Sequence, residues 1–216
     1  MRKIQRFAAA GCAALLGALA ASPGQAAPAY EHIRSETFCG GPKDPRSLRQ
    51  TLIVLDEAIV GASAEENQRW TRAVVDAADA RDESVGTLGP RERFQIVVAR
   101  RDGSELLPLF TACSANVTAE EREAARARDG LTDRFLGNDA DSRLKSARDG
   151  FKAALARAVG QVQKRAAELS AEPARPDGLV RALQNAGRLI DLNRGVPRLI
   201  LVTPLLAAQR ERHADV

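Results

Sequence analysis

Thr51-Leu52-Ile53-Val54-Leu55 is an unbroken apolar and β-branched run that ends on Asp56. Such a strand offers no polar face to water, so both of its faces must be covered, as in the centre of a parallel or mixed sheet. Leu199-Ile200-Leu201-Val202-Thr203 carries the same signature and is expected to be a second fully buried strand. Between them, after a turn at Gly61, Ser63-Ala64-Glu65-Glu66 reads as a capping box, and Trp70, Ala73, Val74 and Ala77 then recur at helical spacing. Residues 86–90 form a linker. Residues 94–99 and 106–111 read as two strands around the turn signal Asp102-Gly103, and Pro108, which has no N–H for a ladder, assigns the second of them to a sheet edge. Thr118-Ala119-Glu120-Glu121 is a second capping box, opening a charged, Ala-rich helix that Gly130 or Gly137 should end. From Ser142 onward, Leu144, Ala147, Phe151, Leu155, Val159, Val162, Ala166 and Leu169 make one apolar stripe, which predicts a helix of about seven turns ending near Pro173. Asp177 is placed as the cap of a last helix with Leu179, Leu183, Ala186 and Ile190 on one side, closed by Gly195 and Pro197. This order predicts a three-layer α/β sandwich whose mostly parallel sheet carries an antiparallel edge hairpin. Leu, Val, Ile and Ala should make most of its core.

Residues 1–6 are basic, residues 7–21 are apolar, and Gly24-Gln25-Ala26 presents the small residues a signal peptidase reads. The expected organisation is a signal peptide at 1–26, an N-terminal arm at 27–47 and an α/β domain at 48–216, exported to the periplasm or the extracellular space. The apolar run falls short of the roughly 20 residues that span a bilayer, and no membrane span is expected. Without Arg2, Lys3 and Arg6, the 32 basic residues fall almost level with the 28 acidic ones. With six Phe, one Trp and one Tyr there is also no stacking platform, which argues against nucleic acid as a partner.

Cys12 would leave with the leader, so Cys39 and Cys113 remain, and an even pair in an oxidising compartment reads as a disulfide. Its long loop would stabilise the fold by around 4 kcal/mol through chain entropy. Neither cysteine belongs to a C-x-x-C, and the only histidines, His32 and His213, stand near opposite ends of the mature chain. A zinc site or a Cys/His catalytic pair is poorly supported.

The run 51–56, the helix after it, the hairpin, and Leu179-Val180-Arg181-Ala182-Leu183-Gln184-Asn185-Ala186 before residues 199–203 together resemble a von Willebrand factor type A domain, over roughly residues 48–206. In that family the first strand ends in Asp-x-Ser-x-Ser, a Thr precedes the Ala-Leu-x-x-Ala helix, and the fourth strand ends in Thr-Asp-Gly. Those residues hold a divalent cation at the carboxyl edge of the sheet. The first Asp falls on Asp56, the two Ser positions on Ala58 and Val60, the Thr position on Asp177 and the later Asp on Pro204. The resemblance therefore implies a degenerate metal site, at which Asp56 and Asp177 could hold Mg²⁺ or Mn²⁺ only weakly. It also brings Cys113, at the end of the hairpin, back to the edge where the first strand begins, near Cys39. A full domain of this type continues with two more strands, whereas thirteen residues follow Thr203 here. Either the fold is minimal, or the chain is truncated, or a protein partner or second copy covers the apolar last strand.

Enzymatic readings find less support. Gly61-Ala62-Ser63-Ala64-Glu65 lacks the last glycine of a nucleophile elbow, and no internal histidine could serve Ser63 as a base. Gly40-Gly41-Pro42-Lys43 precedes no strand-to-helix turn that could cradle phosphate. Asp56 and Thr203, each ending an apolar strand, resemble the first two motifs of haloacid-dehalogenase-like phosphatases, but Ala58 stands where that family's second Asp would be. The expectation is a non-enzymatic interaction or assembly module without a tightly held cofactor. The alternative is a metal-dependent phosphoryl hydrolase centred on Asp56.

Overall fold

The computed structural model describes residues 30–35, 38–39, 49–60, 63–78, 88–166, 176–193 and 195–203. The expected leader at 1–26, with Cys12, lies outside the described residues, as do Gly61, residues 86–87, Leu169, Pro173 and Pro204. Five strands, β1 (Ile33–Ser35), β2 (Arg49–Asp56), β3 (Arg93–Ala99), β4 (Leu106–Cys113) and β5 (Val196–Val202), form one sheet in the order β1-β4-β3-β2-β5. β2 runs parallel to both β3 and β5, β4 is antiparallel to β3, and β1 is parallel to β4. The helices are α1 (Glu57–Val60), α2 (Ala64–Ala78), α3 (Ala119–Arg126), α4 (Leu131–Phe135), α5 (Ala140–Ala166) and α6 (Pro176–Gly187). None among the described residues is long and apolar enough to cross a membrane.

Period-2 alternation divides the sheet into two apolar faces. Ile53 and Leu55 of β2 share one with Phe94, Ile96 and Val98 of β3, and there Trp70 and Val74 of α2 and Phe151, Leu155, Val159 and Val162 of α5 cover them. Leu52 and Val54 lie on the other face with Val97 and Ala99, covered by Ala182 and Ala186 of α6. The centre of the first face is more aromatic than expected. Phe94, Phe110 and Phe151 meet with ring centroids 5.6–6.2 Å apart, at angles favoured by the ring quadrupoles.

Local capping explains where the helices start. The Glu66 N–H donates to Ser63 Oγ at 3.2 Å while the Ser63 N–H donates to Glu66 Oε2 at 3.3 Å, and Thr118 with Glu121 repeats the arrangement for α3. Asp139 caps α5 through the N–H groups of Asp141 and Ser142 at 3.1 and 3.0 Å. The Ser142 N–H and then its hydroxyl hold the Asp139 carboxyl below the usual carboxylate range. That contribution is present above the unfolded carboxylate pKa and is lost as pH falls through the lower folded value.

Several expectations need correction. β4 is not an edge strand, because the three-residue β1 adds to it. Pro108 is tolerated there because β1 pairs only with residues 110–112, and a bulge between Ile96 and Val97 irons out the mismatch around Leu109. β5 is not fully buried. It begins at Val196, includes Pro197, and pairs only with β2 among the described residues, so Val196 and Leu199 are 69% and 43% exposed. The charged helix after Thr118 divides into α3 and α4, with Gly130 capping the second and Gly137, at φ 68°, turning the chain out of it. Ala73 is exposed on α2. Asp177 stands inside the first turn of α6, behind Pro176 at the first helical position.

α6 also faces the sheet differently from the expected Leu179–Leu183 stripe, which is only half-buried. Gly178, Ala182 and Ala186 form its buried line because the β3–β4 hairpin tip presses against its first turn. A Cβ on Gly178 would lie 2.2 Å from the Arg101 carbonyl oxygen, and one on Gly103, at φ 68°, would lie 1.9 Å from the Gly178 carbonyl oxygen. Asn185 Nδ2 donates to the Gly103 carbonyl at 3.1 Å and fixes the contact. At the same tip the hydroxyl and backbone N–H of Ser104 hold the Asp102 carboxyl below its ordinary range.

The expected disulfide is present. Cys39 and Cys113 are bonded with Cα atoms 5.0 Å apart and a sequence separation of 74. Cys113 ends β4 opposite Arg93, so the bridge ties the N-terminal arm to the edge where β3 starts. The arm is further fastened by Gln161 of α5, which accepts from the Glu31 N–H at 2.7 Å and donates to the Glu31 carbonyl at 3.0 Å.

This packing has measurable consequences at three places. Replacing both cysteines by Ser should cost about 4 kcal/mol, the loop-closure value, and lower the denaturation midpoint in urea without abolishing the sheet's circular dichroism. Gly178→Ala should cost about 2 kcal/mol through overpacking. Gly160→Ala, where an added Cβ meets nothing within 4 Å, should instead raise the melting temperature through helix propensity.

Candidate functional site

In an open α/β sheet the ligand crevice lies outside the carboxyl ends of the strands, where neighbouring connections diverge to opposite sides. β2 has β3 on one side and β5 on the other, and its last residue, Asp56, stands at the carboxyl end of this central strand. The carboxylate is buried and already occupied by local partners. Asp56 Oδ1 accepts the Ala58 N–H at 2.9 Å, and Oδ2 accepts the Thr203 hydroxyl at 2.8 Å from the end of β5. Next to it Glu57, also buried, lies 3.4 Å from Arg100 of the hairpin tip, whose Nε is 3.8 Å from Glu105.

Asp177 belongs to the same edge of the sheet, since the first turn of α6 abuts the hairpin tip, but its side chain is exposed. Ala58 offers only an N–H, Val60 has no oxygen in its side chain, and Pro204 lies outside the described residues. No group of three or more His, Cys, Asp or Glu side chains comes together among the described residues. A hard divalent cation requires about six oxygen ligands, and the donors at Asp56 and Asp177 do not fit that demand. Their geometry is that of a strand end closed by its own hydrogen bonds.

The opposite, amino edge holds a group the sequence reading missed. Glu92 is fully buried, and every oxygen of its carboxylate is engaged. Oε1 accepts from the Thr51 hydroxyl and lies 3.3 Å from Arg198, while Oε2 accepts the Gly89 N–H at 2.7 Å and lies 3.2 Å from Arg49 Nε. Arg198 Nε also donates to Thr51 Oγ1 at 2.8 Å. One carboxylate therefore connects β2, β5 and the turn leading into β3. The turn is shaped for it. Arg91 adopts a φ of 52°, a conformation costing on the order of 1–2 kcal/mol for an L residue, and is held by its N–H to the Asn116 carbonyl and by Glu121 at 3.4 Å. A signal did exist in the sequence. Glu92 is in phase with Phe94, Ile96 and Val98, so an acidic residue continues the inward face of β3. Two arginines in contact with a fully satisfied carboxylate make a structural clamp rather than a reactive group.

Arg198→Met should cost about 2–3 kcal/mol, because it leaves Glu92 buried with one cation fewer. Adding Glu92→Met should recover part of that loss. A double-mutant cycle in urea measures the coupling, and additive effects would mean that the clamp does not exist. Neither a family model, nor a curated protein, nor a solved structure matches this chain.

Proposed function

We propose that the chain is an exported, von Willebrand type A-like interaction module that takes a protein partner along the free edge of β5. The observation that carries this reading is the exposure of that edge. Val196 and Leu199 are exposed on a strand that, among the described residues, pairs only with β2, and Leu189 and Leu192 are exposed on the segment leading into it. Unpaired backbone groups beside apolar side chains are the substrate of strand addition, in which main-chain bonds give affinity and alternate side chains give selectivity. The strand order β4-β3-β2-β5, with a hairpin from β3 to β4 and a helix after β2, supports the family likeness. The disulfide is compatible with an oxidising compartment. Asp56 in this reading closes the carboxyl edge through Ala58 and Thr203, and a weakly held Mg²⁺ or Mn²⁺ there is not needed for binding.

Capture of the partner by strand addition should weaken at least tenfold in Leu199→Lys, with the melting curve unchanged, and should survive in Asp56→Asn. A phosphoryl hydrolase centred on Asp56 would give the converse pattern. Turnover of an aryl phosphate with Mg²⁺, lost in Asp56→Asn and kept in Leu199→Lys, would overturn the interaction reading.

A further inference from the structure

The apolar part of the sheet's second face ends where α6 stops covering it. Ala182 and Ala186 lie over Leu52, Val54, Val97 and Ala99, and towards β4 and β1 the same face turns polar. The register sets Arg34 of β1, Thr111 of β4 and Gln95 of β3 side by side in one row, with Arg93 two residues before Gln95 on the same side of β3. His32 Nε2 lies 3.0 Å from Thr111 Oγ1, so the ring joins this row. His32 and Arg34 are exposed, and Arg93 and Gln95 are half-buried.

α6 forms the wall of this polar shelf. Arg181 lies against Gly103, and Asn185 donates to the Gly103 carbonyl, so their flank of the helix faces the hairpin. Ile190 packs beside Leu201 of β5, on the other flank. Arg188, two turns beyond Arg181, continues the hairpin flank, and both arginines are exposed. The floor and wall thus carry basic groups, and no acidic side chain among the described residues of β1, β3 and β4 shares the floor. The acids nearest its ends are engaged locally. Asp102 accepts from the Ser104 N–H and hydroxyl at 3.0 and 2.7 Å, and Asp191 from the Asn193 N–H at 3.0 Å.

The chemistry of the shelf selects its occupant. An apolar segment would lose water from guanidinium groups without replacing it. Phe94 and Phe110 point to the opposite face, and no described aromatic ring stands on the floor to stack a base. Carboxylates match instead, because an arginine fork accepts both oxygens at once. Arg34 and Arg93 are two strands apart, about 10 Å, and a trough of that width takes one extended chain. Such a chain sends alternate side chains to opposite sides, about 7 Å apart along each, so its carboxylates meet Arg34 on one side and Arg181 and Arg188 on the other. Gln95 beneath offers an N–H and a carbonyl to the backbone.

We propose that this shelf binds an extended acidic peptide segment of a partner protein. β2 and α6 separate it from β5, and it does not depend on strand addition there.

Fluorescence anisotropy of a labelled octaglutamate peptide titrated with the full chain tests this, at about 0.15 M salt, where screening limits long-range attraction. The wild type should bind saturably. Arg181→Gln with Arg188→Gln should weaken binding about tenfold, as loss of two partly exposed ion pairs does, and Arg34→Gln with Arg93→Gln should weaken it similarly, with melting curves unchanged. Arg128→Gln with Arg157→Gln removes the same charge elsewhere and should leave the affinity at the wild-type value. Absence of binding, or an equal loss in that charge-matched control, would overturn the proposal. So would loss of binding in Leu199→Lys, which would place the peptide at β5. A heparin fragment that binds more tightly than octaglutamate and is weakened by the same arginine substitutions would assign the shelf to a sulfated polysaccharide and overturn it equally.

Discussion

Glu92 sets the terms for the amino edge of the sheet. A carboxylate without access to water costs several kcal/mol unless its lone pairs and its charge are met. Here Thr51, Gly89, Arg49 and Arg198 meet them, and these residues come from β2, from the turn before β3 and from β5. The parallel pair β2–β5 joins segments about 150 residues apart in the chain, a non-local contact with a high closure entropy. The clamp holds that pair in one register, since sliding β5 by one residue would turn Arg198 to the other face and strand the carboxylate.

The two faces of the sheet solve different packing problems. Over the first, the long α5 lays Phe151, Leu155, Val159 and Val162 across Phe94 and Phe110, so bulk fills the space. Over the second, α6 approaches through Gly178, Ala182 and Ala186, so closeness replaces bulk. That approach positions the hairpin tip, Glu57 and Arg100 around the end of β2, and it leaves Asp56 buried and Asp177 at the surface. The cation site of the resembled family needs these groups to converge with hydroxyl ligands. Ala58 and Val60 supply none, and Asp56 turns its oxygens to the backbone of Ala58 and the hydroxyl of Thr203. The apolar side chains that the fold leaves uncovered lie elsewhere, at the edge of β5 and on α4.

Features that depend on a few neighbouring residues were legible. Ser63 with Glu66 and Thr118 with Glu121 announced α2 and α3, because a capping box is a bond between residues three apart. Asp102-Gly103 announced the hairpin, because only glycine accepts the positive φ at that position without strain. Misreadings arose where a distant segment decided the outcome. Pro108 suggested an edge, yet β1 from the N-terminal arm pairs just beyond it. The apolar run after Arg198 suggested a central strand, yet no described strand lies outside it. At the carboxyl edge Asp56 was recognised from the strand it ends, whereas its Thr203 partner is 147 residues away and no spacing rule could name it.

The sequence by itself determined most of the elements and the inward faces of β2, β3 and α5, since helical and strand periodicity and capping chemistry act over a few residues, whereas the buried line of α6 was set by the hairpin tip. It also pointed to the disulfide, since Cys39 and Cys113 are the two cysteines outside the apolar N-terminal run and an even pair far apart reads as a bridge. Only the tertiary structure decided which strands lie at the edges, which carboxylate is clamped and which apolar side chains stay in water. Each of those depends on where segments far apart in the chain come to rest, and burial is a property of that arrangement rather than of any residue.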